Sequence, residues 1–122
     1  MATYNGAEFI KEQVDSILSQ EFKENPETEI ELVVSDDCSK DSTVSILEDY
    51  NDKRIRIFRH HGQRQYRYLN ASRRCMKNFE NAMQHANGEY IFLSDQDDVW
   101  YPYKVDKAVS LLKNGGYSGF CI

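Results

Sequence analysis

Three carboxylates fall within four residues, Asp95, Asp97 and Asp98, directly after the apolar run Tyr90-Ile91-Phe92-Leu93 and Ser94. Acids this close repel one another unless something positive sits among them. A divalent cation is the natural neutraliser, because hard cations take oxygen ligands and bring phosphates with them. A second acidic pair, Asp36-Asp37, ends a second apolar run, Leu32-Val33-Val34. If both runs are strands of one parallel sheet, both clusters lie on one edge, where ligands bind in open α/β sheets. A plainer origin for Asp36-Asp37-Cys38-Ser39 is a helix-capping turn, since Asp and Ser favour such positions. One cap does not need three acids, however, and the second cluster runs into Val99-Trp100-Tyr101-Pro102 rather than a helix start. An EF-hand is excluded, because Val99 and Trp100 stand where an oxygen ligand and a glycine are required.

The elements that must position these acids follow from periodicity. Ile10, Val14 and Ile17 make one stripe of a helix over Glu8–Gln20. Ile30–Ser35 reads as a strand, followed by a polar turn and a helix near Thr43–Tyr50, with Asp41 or Ser42 as its cap. Ile55–Arg59 alternates and suggests a strand nearer the sheet edge. Gly62–Leu69 reads as a loop. Ala71–Ala86 reads as a helix with Cys75, Phe79, Ala82, Met83 and Ala86 on its apolar face, stopped by Asn87-Gly88. Tyr90–Ser94 reads as a strand buried on both faces, Tyr103–Lys113 as a helix and Tyr117–Ile122 as one more strand. Alternating strands and helices predict a parallel sheet covered on both sides.

The chain has 122 residues, enough for one domain. A hydrophobic content of 40% and a mean hydropathy of −0.70 are those of a water-soluble domain. No run approaches the roughly 20 apolar residues of a membrane span, and the N-terminus lacks the pattern of a signal peptide, so a cytosolic location is expected. The Asn70-Ala71-Ser72 glycosylation match is then fortuitous. Cys38, Cys75 and Cys121 lack metal-ligand spacing and read as reduced, mostly buried thiols. The net charge is −5, yet Lys53–Arg74 holds eight basic residues and no acid. That stretch is either a solvated face or a surface that meets phosphate, whether in a sugar donor, an acidic acceptor or a lipid headgroup. The acidic whole argues against a nucleic-acid partner. The adjacent His60 and His61 would point to opposite faces of a strand and make no shared metal site. Trp100, Tyr101 and Tyr103 suit either a sugar platform or ordinary packing. Arg73 and Asn78 could reach a phosphate or sugar, although an ordinary exposed helix face is the favoured reading for both, and Tyr66-Arg67-Tyr68 could close over a ligand.

Four segments together carry a resemblance. Thr3-Tyr4-Asn5-Gly6, Ile10 through Ile17-Leu18-Ser19-Gln20, Val33 through Thr43, and Gly88 through Trp100 resemble the nucleotide-sugar half of family 2 glycosyltransferases, in order and at fitting spacing. The Asp95-Gln96-Asp97-Asp98-Val99-Trp100 version is similar to bacterial enzymes of surface-polysaccharide synthesis, including rhamnosyltransferase-like members. The resemblance implies an α/β, three-layer, Rossmann-like GT-A fold, here truncated. Residues 1–122 would form a single donor domain that lacks the first strand and the C-terminal acceptor-binding half.

By the same resemblance, Thr3 and Tyr4 line the nucleobase site, Asp37 accepts the base N–H and Asp36 supports the turn. Asp97 is the main ligand of a Mg²⁺ or Mn²⁺ ion, with Asp95 on the ribose or metal side and Asp98 and Trp100 near the sugar. A carboxylate suits the imide N–H of uracil or thymine. The expected activity is metal-dependent, inverting transfer of a hexosyl or deoxyhexosyl group from a UDP- or dTDP-sugar to a saccharide or lipid-linked acceptor. The acceptor half would supply the base, so no catalytic residue is identified in this chain. Peripheral association with the inner face of the membrane, and a homo-oligomer, are compatible with that role. The rival expectation is a non-catalytic nucleotide-binding or assembly fragment. A nucleotidyltransferase fits less well, because Thr3–Ala7 holds one glycine and no basic residue.

Overall fold

The computed structural model describes residues 1–59 and 70–115. In chain order these form β1 (Ala2–Thr3), α1 (Ile10–Leu18), β2 (Leu32–Asp36), α2 (Thr43–Asp49), β3 (Ile55–Arg59), α3 (Ala71–Gln84) and α4 (Lys104–Gly115). The three strands make one parallel sheet in the order β1-β2-β3. The loop expected at Gly62–Leu69, with His60, His61, Tyr66, Arg67 and Tyr68, lies outside the described residues, as do Cys121 and the strand expected at Tyr117–Ile122.

β2 is the centre of the structure. All five of its residues are buried, as an apolar run covered on both faces requires. Leu32 and Val34 enter a core with Ile10, Val14 and Ile17 of α1, Leu47 of α2, Trp100, and Val105 and Val109 of α4. The alternate residue Ser35 turns the other way and bonds to Asn78 and Asn81 of α3. Helices therefore cover both faces, in three layers.

Two strand assignments differ from expectation. No strand was expected before Tyr4, yet Ala2 and Thr3 pair with Ser35 and Asp36. Tyr90–Ser94 makes no ladder; its recorded backbone link to the sheet is Ala2 N–H to the Ser94 carbonyl at 3.3 Å. Nor is it buried on both faces. Phe92 packs against the core, whereas Ile91 and Leu93 are 53% and 57% exposed. The short β1 leaves most of this run without the neighbour that would pair it.

In α3 the expected apolar stripe is only partly buried. Ala82 and the polar Asn78 are buried, while Cys75 and Met83 are exposed. Met83 lines a cavity of about 330 Å³ rather than a packed core. Cys38 and Cys75 are exposed and form no disulfide among the described residues, which corrects the expectation of mostly buried thiols.

Candidate functional site

The turn after β2 is built on Asp36. This buried carboxylate accepts from Thr3 Oγ1 at 3.1 Å, from Ser39 N–H at 2.9 Å and from the Ser39 hydroxyl. Its role is to hold the turn. Cys38 adopts φ 59° there, a left-handed conformation that a residue with a Cβ adopts at a cost. Asp41 caps the following helix, taking Thr43 N–H at 3.0 Å and Ala7 N–H at 3.1 Å. Ser42, the other expected cap, makes no side-chain cap bond.

Asp37 stands at the mouth of this turn. Its N–H donates to the Thr3 carbonyl at 2.9 Å, and its carboxylate takes two bonds from Arg74 of α3. The Arg74 guanidinium lies 5.0 Å from the centroid of the Tyr4 ring, a cation over an aromatic face. Bonding to Asp37 holds the Arg74 guanidinium protonated more firmly than usual, with Tyr4 contributing. Tyr4 is 44% exposed, so Tyr4, Arg74 and Asp37 form one accessible rim. Sequence reasoning missed Arg74, because a basic residue in a basic stretch carries no mark of its partner.

The second acidic turn reaches the same place. The Gln96 side chain bonds to both backbone groups of Tyr4, accepting from its N–H at 2.8 Å and donating to its carbonyl at 3.2 Å. The turns of Asp37 and Asp97 therefore meet on adjacent residues, Thr3 and Tyr4. Asp95, Asp97 and Asp98 are exposed around Gln96. Partial burial, then repulsion from Asp98 and Asp97, push the Asp95 carboxyl above its ordinary range. Among the described residues no three His, Cys, Asp or Glu groups form a ready metal cage.

Other candidates move away from the site. Trp100 is 7% exposed and belongs to the core, edge-on to Phe92, which favours packing over a sugar contact. Tyr101 is 84% exposed. Tyr103 receives a bond from Lys23 Nζ at 2.9 Å. Asn78 is not on an exposed face. It donates to the Thr3 carbonyl at 3.1 Å and accepts from Ser35 Oγ at 2.6 Å, tying α3 to β1 and β2. Arg73 is exposed. Within the basic stretch, Arg54, Arg56, Arg59 and Arg74 each meet an acid, Asp52, Glu31, Glu48 and Asp37 respectively. That pairing supports a solvated face more than a phosphate-binding surface. No helix of the described residues is long and apolar enough to cross a membrane.

Comparison with known proteins agrees with this geometry. Residues 1–122 match the family model of glycosyl transferase family 2. The chain is 34% identical over 115 residues to the dTDP-rhamnosyl transferase RfbG of Shigella flexneri, an alignment covering 92% of this chain and 36% of RfbG. It is 30% identical over 109 residues to a glycosyltransferase of Rickettsia typhi, covering 89% of this chain and 29% of that protein. Among solved structures, S. aureus TarS 1–349 matches with a TM-score of 0.73 at 26% identity, over 99% of this chain and 36% of TarS 1–349. The same TarS segment in complex with UDP matches with a TM-score of 0.74 at 24% identity. The chain thus spans about a third of the length of these relatives. Its fold is the Rossmann-like GT-A fold, and the chain belongs to glycosyl transferase family 2.

Proposed function

We propose that this chain is the donor-binding part of a glycosyltransferase that moves a hexosyl or deoxyhexosyl group from a UDP- or dTDP-sugar to a saccharide or lipid-linked acceptor in bacterial surface-polysaccharide synthesis. One observation carries this reading. The Asp37 turn and the Asp97 turn converge on Thr3 and Tyr4, so one nucleoside diphosphate can touch both. The dTDP donor in the name of RfbG and the UDP in the TarS complex support the donor class.

In this assignment Tyr4 packs against the base and Thr3 and Asp36 fix the turn. Asp37 accepts the base N–H. Asp97, with Asp95, holds Mg²⁺ or Mn²⁺. The donor set fits such an ion, since carboxylate oxygens are its preferred ligands and a few of them leave room for diphosphate oxygens and water. When bound, the ion supplies positive charge to the departing diphosphate. Asp98 lies toward the sugar. The transfer is inverting, with the base supplied by an acceptor-binding half outside these 122 residues. The enzyme works in the cytoplasm, peripherally at the inner face of the membrane.

A longer first strand belongs to the same proposal. β2 pairs with β3 over all five residues but with β1 over only Ser35 and Asp36. The cavity of about 330 Å³ lies along the unpaired remainder, with Met1 at one end, Glu29–Val33 and Gly88–Ser94 as walls, and Phe79, Ala82 and Val109 among the covering side chains. The buried Trp100 Nε1, also on this cavity, has no acceptor among the described residues. A slot between two extended segments fits a strand better than a sugar.

Titration calorimetry tests the donor assignment. UDP or dTDP is expected to bind in the presence of Mn²⁺, and Asp97→Ala is expected to abolish that binding. Equal binding by the variant would remove Asp97 from the metal role.

A further inference from the structure

Gln96 stands between two acids, Asp95 and Asp97, in a position the acidic pattern leaves unassigned. Its side-chain amide faces the backbone of Tyr4 and uses both a donor and an acceptor on it, at 3.2 Å and 2.8 Å. Few other side chains could do this. Asparagine is one methylene shorter, glutamate lacks the donor for the carbonyl, and alanine lacks both groups.

The backbone opposite is shaped for the contact. A Cβ on Gly6 would lie 2.3 Å from Gln96 Oε1 and 2.5 Å from its Cδ, so any larger residue at position 6 displaces the amide. Asn5, between Tyr4 and Gly6, holds φ 48°, and its carboxamide oxygen takes Lys40 N–H at 2.8 Å. The Tyr4 loop is thus anchored to the Asp37 turn on one side and to Gln96 on the other. Contacts run without a break from Asp37 through Arg74 and Tyr4 to Gln96.

We propose that Gln96 is a positioning residue that locks the nucleobase turn to the carboxylate turn and so sets the separation at which one nucleoside diphosphate is gripped at both ends. This rests on the donor-site reading above. Two subsites held at the right spacing bind a joined ligand far better than either half, and that advantage disappears when the spacing is loose.

The experiment compares UDP, uridine, and pyrophosphate with Mn²⁺, each titrated by NMR or calorimetry into the unsubstituted chain, Gln96→Ala and Gly6→Ala. In both variants UDP affinity is expected to fall about 10- to 30-fold, while uridine and Mn²⁺-pyrophosphate each stay within about twofold of the unsubstituted chain. Retained binding of the halves shows that the variants are folded. Unchanged UDP affinity would overturn the proposal, and so would equal losses for UDP and for both halves, which mark a general structural role. Failure of the unsubstituted chain to bind UDP would remove the donor-site reading itself.

Discussion

Arg74 holds Asp37 by one oxygen. Its Nε at 3.0 Å and its terminal nitrogen at 2.6 Å both donate to Oδ2. Oδ1 receives no hydrogen bond from the described residues, and this is the atom that can accept an imide N–H. The ion pair keeps the carboxylate aimed, because a guanidinium fork fixes the direction of its partner. Arg74→Ala is therefore expected to weaken UDP or dTDP binding about tenfold, the loss of one charge-assisted contact. Arg74→Lys should recover little, since a point charge cannot both grip Oδ2 and cover the Tyr4 ring. Calorimetry on the two variants checks this, and full recovery by lysine would show that charge alone matters.

Asn78 is expected to matter for stability rather than for ligand affinity. It is 2% exposed and bridges Thr3 and Ser35. Asn78→Ala leaves the buried Ser35 hydroxyl without its acceptor and the Thr3 carbonyl with Asp37 N–H alone among the described residues, at about 2 kcal/mol. For a domain of this size the melting temperature should drop by roughly 8 °C. Melting within a degree or two of the unsubstituted chain would mean that water replaces the amide.

Much of this architecture is legible in the chain. The run Leu32-Val33-Val34 closing on two acids locates the buried central strand and its ligand-bearing end. Ile10, Val14 and Ile17 announce the buried face of α1. The failures share a physical cause. Asn78 bonds to partners 43 and 75 residues away, and Gln96 to one 92 residues away. Long-range polar contacts leave no periodicity, so a buried amide looks like a solvated one until the chain is folded. The Tyr90–Ser94 segment fails differently. Its apolar residues predict a strand, but a strand also needs a partner, and β1 supplies only Ala2 beside it.

Acid should loosen the contact between α4 and the segment before β2. Asp106, 2% exposed, accepts N–H groups of Lys23, Glu24 and Asn25 at 2.8–3.0 Å. The Glu24 N–H bond foremost, with those of Asn25 and Lys23, brings its pKa from 3.8 down to about 2. A folded-state value below the unfolded one means that the charged form stabilises the fold. That contribution is whole above pH 3.8 and fades as pH falls through about 2. Asp106→Asn should lower the melting temperature at neutral pH and flatten its decline across this window. Thermal melts of both proteins at neutral pH and near pH 2 measure the difference, and parallel declines would remove Asp106 as the source.

The last prediction concerns the cavity beside β2. Continuing the β1–β2 register upstream of Met1 would set residues opposite Val33, Leu32, Glu31 and Ile30. Helices lie over both faces of this slot, so each place favours an apolar, β-branched residue. The Met1 amine already donates to the Val33 carbonyl at 2.8 Å. Burial, eased slightly by Asp95, pushes its pKa down to about 6, and an extension would replace it with a neutral peptide N–H. Adding Val-Ile-Val-Ile before Met1 is expected to raise the melting temperature by about 5–10 °C. The same extension should protect the Ile91 and Leu93 amides from hydrogen exchange, because paired backbone groups no longer open to water. A Gly-Ser-Gly-Ser extension should do neither. Equal behaviour of the two extensions would show that the slot does not take a strand, and protection of the same amides in an unextended dimer would assign it to a second copy instead.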